Sequence, residues 1–251
     1  MTMPAGIYRA AWVMVRRIVL IVLAALPHQL ALAQWTPHLT LASDSIHRGL
    51  SETSGKASLA MGIDWADEQW FAGARLGNSQ LPTTVNPTLS KGQSLAVYGG
   101  FSWAMNHNWS ARWLVSHYEF IGPEAYRAID GYSELSLGLD GEHIGLELTL
   151  APNAWGGAGL TRYAAINWQQ PLSGDWAGIT MDRIAVDVAL GHADANASLT
   201  WDYYYAELGL SYSHKKWALD ARVHALDDSR VNRLGWSEPR RRVALSLTYL
   251  W

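Results

Sequence analysis

Residues 243–251 read Val-Ala-Leu-Ser-Leu-Thr-Tyr-Leu-Trp, and their alternation decides the fold. Val243, Leu245, Leu247, Tyr249 and Trp251 occupy every second position, so in an extended strand they share one face. Ala244, Ser246 and Thr248 lie on the other, where only Leu250 is large. One side of such a strand suits hydrocarbon and the other a narrow aqueous interior. A transmembrane β-barrel imposes that division on each of its staves. A stretch of this kind that ends on an aromatic is expected to be the closing strand, and the signal that a barrel-assembly machinery reads.

The same period of two recurs upstream. Twelve strands are expected, near residues 36–44, 57–65, 69–77, 93–104, 108–118, 131–139, 142–151, 160–169, 176–191, 201–212, 216–226 and 241–251. Leu135, Leu137 and Leu139 alternate with Glu134, Ser136 and Gly138, and Leu59, Met61, Ile63 and Trp65 with Ser58, Ala60, Gly62 and Asp64. A face that mixes glycine, serine and charge makes a poor soluble core and a good lumen lining. The connections sort by length. Ala66-Asp67-Glu68, Met105-Asn106-His107, Asp140-Gly141 and Ser213-His214-Lys215 are tight, whereas 78–92, 119–130, 192–200 and 227–240 are long and polar. Short periplasmic turns opposite long external loops are the habit of outer-membrane barrels. In lipid every backbone polar group needs an internal partner, so the sheet must close. The expected fold is therefore an all-β, closed antiparallel transmembrane barrel of about 12 strands. Its bore should be wider than a filled eight-strand barrel and narrower than a 16-strand porin.

The front of the chain and its composition agree. Arg9, Arg16 and Arg17, an apolar run from Ile18 to Leu26, and Ala31-Leu32-Ala33 have the three parts of a secretory signal, expected over 1–33 with the barrel over 34–251. The apolar run is short for a membrane span, which needs roughly 20 residues. Losing three arginines with the leader leaves 16 basic against 22 acidic residues, an acidic balance that argues against nucleic acid as a partner. The absence of cysteine excludes disulfides, thiolate metal sites and cysteine nucleophiles. Fourteen tryptophans against three phenylalanines favour a membrane boundary, where an apolar ring carries a polar edge.

Leu41-Ala42-Ser43-Asp44 followed by Arg48-Gly49-Leu50-Ser51-Glu52-Thr53 resembles the opening signature of the Gcw_chp, or TorF-type, porin family. Trp70-Phe71-Ala72-Gly73 is similar to that family's second strand, Tyr132-Ser133-Glu134-Leu135 to a later one, and residues 201–208 to its near-terminal aromatic strand. The motif residues are Ser43, Asp44, Arg48, Gly49, Ser51 and Thr53. The chain departs from the pattern at Ser45, where an aromatic is usual, and near Lys56, where a proline often stands. The resemblance implies a Gram-negative outer-membrane barrel acting as a porin, without catalytic residues or cofactors.

Alternation places Asp64, Arg75, Arg112, Glu134, Glu147, Glu207, Asp220, Arg222 and Arg242 inside the bore. Mixed signs on neighbouring strands predict a ladder of cross-strand pairs. They stiffen the lumen, sort permeating ions as a charged constriction does, or do both. Arg48 is expected at the external mouth, its loop held by an Asp44–Arg48 contact and a tight turn at Gly49. His107, His117, His143 and His224 are scattered without metal-ligand spacing, so no metal is expected. Ser116-His117-Tyr118 is the nearest arrangement to a hydrolase site, but adjacent strand residues face opposite ways. Asp227-Asp228 near His224 reads as solvated loop acids. The reading is a non-enzymatic, narrow passive channel for small solutes or ions, in contact with outer-membrane lipid and lipopolysaccharide. The alternatives are a closed barrel acting through its loops, and a barrel-embedded lipid hydrolase.

Overall fold

The computed structural model describes residues 34–81, 90–122, 131–156, 159–176, 179–180, 183–196, 201–227 and 239–251. The expected leader over 1–33 lies outside the described residues. In chain order the strands are β1 (Gln34–Ala42), β2 (Ile46–His47), β3 (Leu50–Ser51), β4 (Ser58–Ala66), β5 (Trp70–Leu81), β6 (Ser90–Ala104), β7 (Trp109–Ile121) and β8 (Tyr132–Gly141). They continue as β9 (Ile144–Pro152), β10 (Leu160–Pro171), β11 (Asp175–Trp176), β12 (Ile179–Thr180), β13 (Ile184–Asp194), β14 (Tyr203–His214), β15 (Trp217–Leu226) and β16 (Arg241–Leu250).

Twelve of these close an antiparallel barrel in the order β1-β16-β15-β14-β13-β10-β9-β8-β7-β6-β5-β4, with β4 returning to β1. The closing strand is the one whose alternation was read first: β16 meets β1 in five registered pairs, from His38 opposite Leu250 to Ala42 opposite Ser246. Nine pairs join β1 to β4. The seam is thus the shorter of the two ladders that hold β1.

Alternation sets the two faces. Along β8, Leu135, Leu137 and Leu139 are exposed on the outside while Glu134 and Ser136 are buried in the bore. Ile144, Leu146 and Leu148 of β9 face out, and Thr149 and Ala151 face in without accessible surface. Val243 and Leu245 are 65% and 57% exposed. A closed sheet that presents leucine, isoleucine and valine outward on strand after strand would be insoluble in water and is suited to hydrocarbon. Outward tryptophans gather at the end of the short turns: Trp35, Trp65, Trp70, Trp103, Trp109, Trp168, Trp217 and Trp251 all stand near a strand terminus there. Several touch, as Trp35 does Trp65 at 6.5 Å and Trp217 does Tyr249 at 4.7 Å between ring centroids. This is an interfacial girdle.

β5 and β6 run into the loop expected over 78–92, to Leu81 and from Ser90, and one strand differs further from expectation. The strand expected over 176–191 begins at Ile184. Pro171 has no N–H to give the ladder and Gly174 takes a φ of +97°, so β10 ends at Pro171. The connection that follows holds β11 and β12, which pair with each other. The core lies inside the bore, where Leu50, Phe120, Tyr132, Trp155, Tyr163, Trp201, Tyr203, Tyr205 and Leu226 form one buried cluster.

Candidate functional site

The connection between β1 and β4 turns inward and crosses the bore. Its first residues are fastened to the seam: the Ser43 amide donates to the Leu245 carbonyl at 2.8 Å, and its Oγ accepts from the Leu245 amide at 3.0 Å. Asp44, buried, accepts hydrogen bonds from the hydroxyls of Ser51 and Thr53 and pairs with Arg242 at 3.2 Å. The Ser45 amide donates to Thr53 Oγ1 at 3.1 Å. These short polar side chains serve the backbone of a segment that has left the sheet, so its donors and acceptors are not stranded.

Between them, β2 and β3 form a hairpin whose two-residue turn is Arg48-Gly49, with φ of +49° and +81°. Positive φ at both central positions matches the turn that best fits strand twist, and glycine takes the second at no steric cost. Space demands it too. A Cβ on Gly49 would stand 2.7 Å from Leu226 Cδ2 and 2.8 Å from Tyr205 Cβ.

The turn carries Arg48 to the far wall. β9 is six strands from β1 in either direction around the ring, and Arg48 lands on β8, β9 and β10. Its guanidinium donates to both carboxylate oxygens of Glu134, at 2.7 and 3.0 Å, and to Thr149 Oγ1 at 3.3 Å. The Tyr163 ring lies 4.2 Å beneath it. Bidentate geometry makes this the strong form of the pair, and removing one partner would leave an unpaired buried charge. Burial opposes the Arg48 charge, but Glu134 outweighs it and holds the pKa well above the usual arginine value. Leu50, one residue beyond the turn, is 2% exposed among the aromatic side chains. Phe120, Tyr132 and Trp155 stack there at 5.6 to 6.2 Å. This side of the bore is packed like a protein interior.

The opposite side is open. A cavity of about 290 Å³ runs beside the hairpin, walled by Asp44, Ser45 and Ile46. Thr40 and Ala42 of β1 and Ala244 and Ser246 of β16 give it a small-residue floor. Glu207, Asp220, Arg222 and Arg75 supply its charge, with His224 beside them. Arg222 holds Asp220 at 3.0 Å, Glu207 at 3.3 Å and Asp187 at 3.7 Å, and His224 Nδ1 stands 3.3 Å from Glu207. Three carboxylates therefore share one guanidinium.

The inward residues read from the sequence fall into separate groups. Arg75, Glu207, Asp220 and Arg222 meet at the cavity. Glu134 and Glu147 lie across the bore, where Glu147 pairs with Arg112 at 2.9 Å and Arg112 also holds Asp140 at 2.8 Å. Arg242 serves the seam. Asp64 faces His38 at 3.2 Å and accepts from the Tyr98 hydroxyl, rather than joining Arg75. The expected Asp44–Arg48 contact is not formed, because the hairpin points its turn away from its own base and Asp44 is occupied by Ser51, Thr53 and Arg242. Arg48 lies within the bore, among residues near the ends of β8, β9 and β10 that face away from the short turns. Ser116 faces the bore, while His117 is hydrogen-bonded to Ser133 and stands 3.4 Å from Glu119. Asp227 accepts from the Tyr204 amide, and Asp228 lies outside the described residues. Asp187, Asp140 and His38 were missed. Each sits at an inward position that alternation marks, but on a stretch where small residues carry the pattern.

No protein-family model matches the chain, and no curated protein sequence is similar to it. Among solved structures, KdgM porin superposes with a TM-score of 0.52 at 9% identity, covering 85% of this chain and 98% of that one. An outer-membrane channel from Pseudomonas putida F1 gives 0.49 at 10% identity, covering 89% and 98%. The calcium-bound outer-membrane phospholipase dimer from Salmonella typhi gives 0.46 at 12% identity, covering 89% and 94%. At such identities the likeness is one of fold. The chain is a closed 12-strand antiparallel β-barrel that shares the architecture of KdgM porin.

Proposed function

We propose that the protein is an integral outer-membrane porin, a narrow passive channel for small solutes or ions. The supporting observation is the lopsided bore: a hairpin latched to one wall leaves a charged cavity of about 290 Å³ along the other. Lumen width and the charges of Glu207, Asp220 and Arg222 then select what passes. The apolar outer face and the tryptophan girdle suit lipid and lipopolysaccharide contact. In this reading residues 1–33 are cleaved after export, and the strand ending at Trp251 is what the assembly machinery recognises. The Ser43-Asp44 and Arg48-Gly49-x-Ser51-x-Thr53 motif supports TorF-type membership, and its residues here build the hairpin, with Asp44 also lining the cavity.

Planar-bilayer recording of the refolded mature chain tests this. The expected outcome is small, discrete conductance steps with weak cation preference, since the passage wall holds more carboxylates than guanidinium groups. Asp220→Asn should reduce that preference. Absence of steps across several lipid compositions rejects the channel. The second reading, a closed barrel acting through its loops, is favoured by the packing around Leu50, and it requires that absence.

A further inference from the structure

Resting on the channel reading, we infer that the passage is selective for small zwitterionic solutes of amino-acid size. The wall charges are divided by side. On β14 and β15, Glu207 and Asp220 face the cavity around Arg222, with Asp187 behind them. Arg75 reaches the same cavity from β5, four strands further around the ring.

Arg75 is the exception among the lumen arginines. Arg48, Arg112, Arg222 and Arg242 each hold a carboxylate within 4 Å. Arg75 makes no ion pair at that distance with a described residue, and it is exposed to the water of the bore. Glu52 feels the field of Arg75, and its carboxyl pKa is raised by burial and by Asp44 against the opposing pull of Ser45 and Arg75 itself. A carboxyl shifted that way compensates Arg75 poorly. One wall therefore offers an uncommitted cation and the facing wall an excess of anions. A transverse field of that kind orients a solute with separated charges, carboxylate toward Arg75 and ammonium toward Asp220 and Glu207. A simple anion meets the carboxylate wall, a simple cation meets Arg75, and an uncharged solute gains nothing. The small floor residues Ala42, Ala244 and Ser246 leave room for an amino-acid side chain.

Liposome swelling with alanine and with lactamide separates the cases, because the two share size and heavy-atom types but only alanine is a zwitterion. Wild-type liposomes should admit alanine faster than lactamide by roughly threefold, the scale of one exposed ion pair. Lactate and alaninamide should both enter more slowly than alanine. Arg75→Gln and Asp220→Asn should each bring the alanine-to-lactamide ratio to one, while Arg75→Lys keeps it. Folding of each variant is checked by the mobility of unheated protein on gels, and the two charge-removal arms are independent. Equal entry of alanine and lactamide through a conducting wild-type channel overturns the zwitterion inference alone, as does an unchanged ratio in a folded Arg75→Gln. Failure of both solutes together with absence of bilayer steps overturns the channel reading and this inference with it.

Discussion

The two halves of the bore are built by the same rule and filled in opposite ways. On β7 to β10 the inward positions hold Phe120, Tyr132, Glu134 and Tyr163, and the hairpin docks on them through Leu50 and Arg48. On β14 to β16 and β1, beyond Tyr203, Tyr205 and Leu226, the inward positions hold Ala42, Ala244, Ser246 and charged side chains, and the space is left open. Alternation alone makes a lumen face. The size of what occupies it decides whether that face becomes a core or a water path. A barrel of 12 strands has room for both.

Breaking the packed half has the largest effect. Arg48→Ala leaves the Glu134 carboxylate buried without its partner, a loss of about 3–5 kcal/mol to the seated hairpin. The expected result is a marked rise in single-channel conductance and a lower unfolding temperature. Unchanged conductance would show that the latch does not set the bore. Gly49→Ala is next. Its Cβ meets Leu226 and Tyr205 below 3 Å, and overpacking of that kind costs about 1–3 kcal/mol. Conductance should rise by less than for Arg48→Ala, and denaturant titration reads the stability.

Acid should loosen the same half. His47, beside the turn, has a pKa held well below its usual value by burial and by the charges of Arg48 and Arg75, and its Nε2 has no hydrogen-bond partner among the described residues. A seated hairpin refuses the proton that a released one accepts. The neutral form costs nothing above about pH 6.5, and below that the hairpin loses up to about 1.4 kcal/mol per pH unit until the seated pKa is reached. Glu52 acts with the opposite sign. Its raised pKa favours the seated state at low pH and costs stability as pH rises through it. Conductance measured from pH 7.5 to 5 should increase, and His47→Gln should flatten the profile. If His47→Gln follows the wild-type curve, another group carries the response. The smallest effect on stability belongs to the open half. Ala244→Phe should fill the passage and cut conductance while shifting stability by no more than about 0.5 kcal/mol.

The wall was legible in the sequence because lipid and water impose the period of two on every strand. Leu135, Leu137 and Leu139 announce their face without help from the rest of the chain. The hairpin was not legible. Ser43, Asp44, Arg48, Ser51 and Thr53 are the residues of an exposed loop by composition, and their burial depends on partners as distant as Glu134 and Arg242. A signal did exist. Tyr118, Tyr132, Tyr163, Tyr203 and Tyr205 all occupy inward positions, and that many large rings facing a lumen need something to pack against. Leu50, the apolar residue just beyond Arg48-Gly49, was the matching piece. The strand expected from 176 was displaced to Ile184 because Pro171 and Gly174 outrank periodicity in deciding where a ladder can continue.

The reach of Arg48 has a mechanical meaning. A ring of strands flattens most easily when its opposite sides are free to move independently. Here one segment is anchored at the seam through Ser43 and Asp44 and gripped six strands away by Glu134, so it works as a tie across the diameter. Lateral pressure from a bilayer that would make the ring oval must stretch a bidentate ion pair, and strain that would spring the short β1–β16 seam is shared with the far wall. The same loop that narrows the passage keeps its cross-section round.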